Sequence, residues 1–139
     1  MDKHQYLLET ELEQLKSRAD SEPQVILELS QQCLVRAEQM LFEKGAIQAL
    51  MIMSRCHWNL MDYRKGLKDI KEAYSRQNRL DTDIFLPEIL HLHALQFWGQ
   101  AKYYSAQQYW INALEQSALV DEIEIQIECL IGLGNIWRI

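Results

Sequence analysis

Residues 53–74 read MSRCHWNLMDYRKGLKDIKEAY, and residues 93–114, forty positions later, read HALQFWGQAKYYSAQQYWINAL. At that offset Ser54 and Ala94 are both small, His57 and Phe97 both carry rings, Trp58 meets Trp98, Tyr63 meets Tyr103, and Ala73 meets Ala113. Gly134 and Trp137 repeat the small and ring positions once more near the end of the chain. A fixed period of this length marks a solenoid, in which each unit buries its apolar face only against its neighbours. It points to a binding surface before a catalytic one.

Within the repeat the apolar spacing is helical. Leu50, Met53, Ser54 and His57 fall at i, i+3, i+4 and i+7, and so do Leu90, His93, Ala94 and Phe97. Laid out at the 40-residue period, first (A) helices fall near 5–19, 45–60, 84–99 and 123–139, and second (B) helices near 23–40, 63–79 and 103–119. Punctuation agrees with these limits. Ser21 is placed to cap the helix that Pro23 opens, with Gln24 three residues after the cap, and Asp62 can cap the helix beginning at Tyr63. Asp81, Thr82 and Asp83 precede Ile84 and leave Pro87 near a first turn, where its missing N–H costs little. Gly45 separates one repeat from the next. Segment 120–127 alternates like a strand at Ile123, Ile125 and Ile127, but Ile123, Ile127, Leu130 and Gly134 also share a helical stripe, and the register places a helix there.

Composition narrows the function classes. The chain has 139 residues, 48% of them apolar and 24% charged, as expected of one soluble domain with a sizeable core. Five glycines and two prolines are too few for the turns of an all-β sandwich. A net charge of −6 disfavours nucleic acid. No leader-like apolar region and no stretch near the ~18 residues of a membrane span stand out, so a cytoplasmic chain is expected. Cys33, Cys56 and Cys129 are odd in number and scattered along helices, which reads as reduced, packed thiols.

Leu133-Gly134-x-x-Trp137, Tyr63-x-x-Gly66-x-x-x-Ile70-x-x-Ala73 and Tyr103-x-x-Ala106-x-x-x-Trp110-x-x-Ala113 resemble the two helices of the tetratricopeptide repeat. Small residues at 54, 94 and 134, with Gly66 and Ala106 opposite, let paired helices approach, and rings at 57, 97 and 137 fill the space beside them. The family's usual repeat is six residues shorter, which puts the extra length near 79–84, and Asn78 and Ala118 stand where its helix-ending proline would be. The resemblance covers 45–139 by motif and the remainder by spacing. It implies an all-α, antiparallel helix-pair solenoid of about seven helices and roughly 3.5 repeats in one domain. Residues 1–42 form a degenerate or capping repeat, 43–80 and 81–120 are full repeats, and 121–139 supply the first helix of an incomplete one.

Repeats of about 40 residues resemble those of bacterial regulators. That likeness implies a non-catalytic sensory or protein-interaction module that binds a peptide or protein and controls an output domain. A GGDEF-type diguanylate cyclase is the first expectation for that domain and a helix-turn-helix transcription regulator the second. A free-standing secretion chaperone or scaffold is the alternative class. Because 123–139 matches an A helix with no B helix after it, we expect a piece of a longer protein, or a homodimer formed through this terminal helix.

The resemblance also implies a concave surface lined by A helices, with Gln48, Met51, Arg55, Trp58 and Asn59 from one unit. His91, Leu95 and Trp98 follow from the next, and Asn135 and Arg138 from the last. Trp58 and Trp98 form either an aromatic wall for a ligand or packing between A helices, while Arg55 and Arg138 could meet a carboxylate or phosphate. The family's carboxylate clamp needs Lys and Asn where Met51 and Arg55 stand, so that activity is not implied. His91 and His93 point to different faces, no zinc spacing occurs, and His57 and His93 lie on the core stripe. No metal and no cofactor are expected. Arg64, Lys65, Lys68, Lys71, Arg76 and Arg79 on helix 63–79 read as a solvated outer face. No phosphate loop or nucleophile motif is present.

Overall fold

A computed structural model describes residues 1–138. It contains seven helices: α1 (Lys3–Arg18), α2 (Pro23–Gln39), α3 (Glu43–Asn59), α4 (Tyr63–Asn78), α5 (Leu86–Gly99), α6 (Tyr103–Leu119) and α7 (Ile123–Trp137). Each helix packs on the next, and the odd-numbered helices also touch one another in series, α1 on α3, α3 on α5 and α5 on α7. The result is a solenoid of helical hairpins with an inner layer of odd and an outer layer of even helices. No helix is long and apolar enough to cross a membrane among the described residues.

Four of the six connections share one construction. Turns 40–42, 60–62, 100–102 and 120–122 each have three residues, and the middle residue of each is left-handed: Leu41 (φ 55°), Met61 (φ 62°), Ala101 (φ 60°) and Asp121 (φ 58°). In each the following N–H returns five residues to a helical carbonyl, as in Phe42 to Ala37 (2.8 Å) and Asp62 to His57 (2.8 Å). These are Schellman closures in which glycine would be the ordinary choice. Left-handed backbone costs a side-chain-bearing residue roughly 1–2 kcal/mol, partly offset by glycine's looser unfolded chain. Met61 is 77% exposed, so little burial is lost with its side chain. Met61→Gly should therefore raise the urea unfolding free energy by about 0.5–1 kcal/mol; a loss of stability would contradict the turn.

The helix limits match the 40-residue register closely, but the caps differ from expectation. Glu22, not Ser21, occupies the N-cap of α2 and makes no side-chain cap bond, while Ser21 Oγ donates back to the Arg18 carbonyl at 3.3 Å. Asp62 does sit at the N-cap of α4 but makes no cap hydrogen bond, and lies 3.5 Å from Lys65. Gly45 is not a separator. It lies inside the first turn of α3, where a Cβ would fall 2.6 Å from the Phe42 ring. Helix α5 begins at Leu86, two residues later than 84, because Gln77 claims the loop: its amide donates to the Thr82 carbonyl and its carbonyl accepts from Phe85 N–H at 3.2 Å. Pro87 lies in the first turn as expected.

The small positions work differently in successive units. Ser54 Oγ donates to the Gly66 carbonyl at 2.8 Å, and Gln96 Nε2 donates to the Ser54 carbonyl at 2.9 Å. A Cβ on Gly66 would fall 2.4 Å from the Gln96 side chain, so this glycine is where α3, α4 and α5 converge. Ala94 is fully buried, whereas Gly134 has nothing within 4 Å of a would-be Cβ. The ring positions follow suit. Buried His57 bonds Asp69 (Nδ1 to Oδ2, 2.5 Å), and at the same register Phe97 packs on Tyr109 (centroids 5.4 Å). Trp137 is 67% exposed.

Segment 120–127 is helical from Ile123, but with a different inner face from the stripe read in the sequence. Ile125, Cys129, Gly132 and Leu133 are buried, while Ile123, Ile127, Leu130 and Ile131 face outward. That outer surface of α7 is where the sequence reading expects a pairing chain. The position of Ile139 lies outside the described residues.

Candidate functional site

The inner layer encloses a groove of about 490 Å3. Gln48, Met51 and Ile52 from α3, His91 and Leu92 from α5, and Ile125 from α7 contribute to its floor and walls. Around them stand seven carboxylates: Glu9 and Glu13 from α1, Asp20 and Glu122 from turns, Glu88 from α5, and Glu124 and Glu128 from α7. Only Lys16, Lys44 and Arg55 oppose them, so the groove's side chains carry an excess of four negative charges.

Two of those three cations are tied to groove carboxylates. Arg55 clasps Asp20 in two hydrogen bonds, Nε to Oδ1 at 2.7 Å and Nη2 to Oδ2 at 3.0 Å, with its guanidinium 5.4 Å from the Trp58 ring. The Arg55 bond holds the Asp20 carboxyl below its usual range despite opposing burial, and Asn59 adds a second donor at 2.8 Å. Lys16 reaches Glu88 at 3.1 Å. Arg55 is therefore paired within the chain, and the side chains around the groove carry net negative charge.

His91 lies on the groove floor, 3% exposed. Trp110 Nε1–H donates to its Nδ1 at 2.9 Å, which makes Nδ1 the lone-pair nitrogen and leaves the ring proton on Nε2. Nε2 stands 2.7 Å from Glu128 Oε2, outside hydrogen-bonding geometry, so the buried indole, the imidazole and a groove carboxylate lie in series. The nearby His91 ring keeps the Glu128 carboxyl below its usual range against burial, with Arg55 adding a smaller pull.

The structure brings together four of the inner-surface residues expected from the resemblance, Gln48, Met51, Arg55 and His91. Trp58, Asn59, Leu95, Trp98, Asn135 and Arg138 do not border the groove. Trp58 and Trp98 are half-buried against the core with both indole N–H groups enclosed and unpartnered, and neither lines the groove. Asn59 secures the first turn through the Ala19 carbonyl and Asp20, and Leu95 is core. Arg138 bonds Asn135 at 2.9 Å on the outside of α7. The groove thus sits at the N-terminal halves of α5 and α7, along residues 44–55 of α3, and at the C-terminal half of α1.

Its missed members were visible as a stripe. Lys44, Ile84 and Glu124 share one register position at the 40-residue period and Gln48, Glu88 and Glu128 the next, whereas Glu9 and Glu13 of α1 lie five residues out of that register.

Ser54, His57 and Asp69 are the residue types of a nucleophile set, but Ser54 is fully buried with its proton committed to Gly66, so it addresses no substrate. Burial pushes the Cys33 thiol to about 11 and the Cys56 and Cys129 thiols to about 12, which makes them weak nucleophiles. Among the described residues no cluster of three metal-ligating side chains occurs.

His93 faces the opposite side of α5. It is 4% exposed, stacked on Tyr109 (centroids 4.8 Å, planes within 6°), and donates Nδ1–H to the Ile89 carbonyl at 3.0 Å. Burial lowers its pKa to about 4, more than the Ile89 bond restores. Its unfolded value is near 6.5, so the unfolded chain binds the extra proton between these limits, and stability is lost as pH falls from about 6.5 towards 4. Moving from pH 7 to pH 5 should cost on the order of 2 kcal/mol in urea unfolding, and His93→Phe should remove most of that difference. An equal pH dependence in the variant would assign it elsewhere. The lowered Asp20 and Glu128 carboxyls act in the same direction, below the normal carboxylate range.

No protein-family model, no curated protein and no solved structure matches this chain. The class that fold and site define is an all-helical hairpin solenoid with an acidic inner groove.

Proposed function

We propose that the chain is a non-catalytic, tetratricopeptide-like interaction module whose inner groove receives a basic segment of a protein partner. The observation that supports this reading is the excess of four negative charges around a groove with an apolar floor, Met51, Ile52, Leu92 and Ile125. Lysine and arginine side chains would meet the carboxylate rim while their stems and neighbouring apolar residues cover the floor. Three buried, unpaired thiols fit a reducing compartment, and we place the module in the cytoplasm on that ground. Control of an output domain, a diguanylate cyclase first and a transcription regulator second, extends the proposal on the resemblance alone.

The test is fluorescence anisotropy with two labelled peptides of equal length, an amphipathic lysine-rich helix and its glutamate-rich counterpart. Binding of the basic peptide, weakening as salt rises, is the expected result. Preference for the acidic peptide, or no discrimination, sinks the reading.

A further inference from the structure

A second concavity opens on the outer side of the solenoid, where α4, α5 and α6 meet, with a volume of about 480 Å3. This lies within the range of small-molecule sites. Leu90 and Ile111 give it apolar wall, Tyr74 and Tyr109 give it aromatic wall, and Glu115 is the only ionic side chain lining it. At its base is His93, more than nine-tenths buried. Tyr109 stacks on one face of that ring and Tyr74 stands perpendicular to it at 5.9 Å. Because Nδ1–H is spent on the Ile89 carbonyl, Nε2 is the lone-pair nitrogen. No protein group pairs with Nε2, and it is not among the polar atoms sealed from solvent; the cleft is the open space beside it.

We propose that this cleft is a binding site for a small organic amine in its ammonium form, with an N–H donated to His93 Nε2 and the positive charge balanced by Glu115. A lone pair that no protein donor meets and that opens only on the cleft can accept from a ligand N–H. The carboxylate at the rim and the tyrosine faces favour a cation over an anion. Leu90 and Ile111 would cover an apolar body. The charged group from α4 that acts on His93 is Lys71, which stands outside the lining; with burial it keeps the ring neutral and accepting, and it opposes the ammonium charge that Glu115 attracts. The site is independent of the acidic groove: it lies on the other face of α5 and shares no lining residue with it.

The experiment is a titration of the isotopically labelled chain, followed by NMR, with three probes of similar shape: 2-phenylethylammonium, 2-phenylethanol and 3-phenylpropionate. The ammonium should shift the Tyr74, His93 and Tyr109 signals, bind roughly tenfold more tightly than the alcohol, and leave the carboxylate without effect. His93→Phe keeps the stacked ring and should weaken ammonium binding about tenfold; Glu115→Gln, at an exposed position, should weaken it several-fold without touching the core. Equal binding of alcohol and ammonium, binding of the carboxylate, or shifts confined to the inner groove would each overturn the proposal. Unchanged affinity in both variants would do the same. Should His93→Phe fail to fold, Glu115→Gln and the probe ranking decide alone.

Discussion

Trp110→Ala is expected to lower the unfolding free energy by about 3–5 kcal/mol, the largest single-residue effect in the chain. Trp110 is the largest fully buried side chain, 1% exposed, and its ring lies so close to α7 that a Cβ on Gly132 would fall 2.5 Å from it. Truncation opens a cavity where α5, α6 and α7 converge, and those helices are too tightly interlocked to close it. It also strips His91 Nδ1 of its donor, and an unpaired buried acceptor costs roughly 1–3 kcal/mol, part of which is contained in the cavity figure. Since small domains hold only about 5–15 kcal/mol, such a loss would leave the fold near its threshold. Trp110→Phe separates the contributions: it keeps most of the volume, loses the N–H, and should cost about 1–2 kcal/mol. Urea unfolding of the three proteins checks both values. A Trp110→Ala penalty below about 1 kcal/mol would mean that the α6–α7 junction is not packed as described.

The second large effect is on binding. Glu9, Glu13 and Glu124 line the groove without an ion-pair partner among the described residues, so reversing them to lysine leaves Arg55–Asp20, Lys16–Glu88 and His91–Glu128 in place. The groove's side-chain balance then changes from an excess of four negative charges to an excess of two positive. Rim charges contribute roughly 0.5–1 kcal/mol per pair, and each reversal exchanges an attraction for a repulsion. The triple variant should therefore bind the lysine-rich peptide on the order of 100-fold more weakly at low salt, with a smaller difference at high salt. Glu124 sits in the first turn of α7, where its charge complements the helix dipole, so a stability loss of a few tenths of a kcal/mol accompanies the change. Reversal of Arg64 and Lys68 on the outer face of α4 serves as the control and should leave affinity within about twofold. A groove triple variant that binds as tightly as the parent would remove the electrostatic basis of the proposal.

Helix number and limits were readable because small and ring residues recur with their helical neighbours, and each register position carries the same packing demand. The turns were not readable for a definite reason. Schellman closures usually announce themselves by glycine, and here Leu41, Met61, Ala101 and Asp121 take the left-handed position instead, spaced 20 or 40 residues apart. The exceptional loop at 79–85 is shaped by Gln77, a residue whose two amide bonds to Thr82 and Phe85 leave no local signature.

The groove was half legible. The resemblance extended it to Trp58 and Trp98, which are half-buried against the core and do not line it. The open part lies at Lys44, Gln48, Glu88 and Glu128, and its charge depends on α1, the helix with least resemblance to the repeat. Arg55 looked available because Asp20, its partner, is 35 residues away in a turn that only the superhelix brings close. His91 was expected at the groove, yet its tautomer depends on Trp110, 19 residues further on.

The most direct test of the groove is an NMR titration of the labelled chain with the lysine-rich helical peptide. Shifts should concentrate at Glu13, Gln48, Met51, Glu88, His91 and Glu124, with the outer faces of α4 and α6 silent. Shifts centred on those outer faces or on Trp58 and Trp98, with the inner carboxylates unmoved, would contradict it.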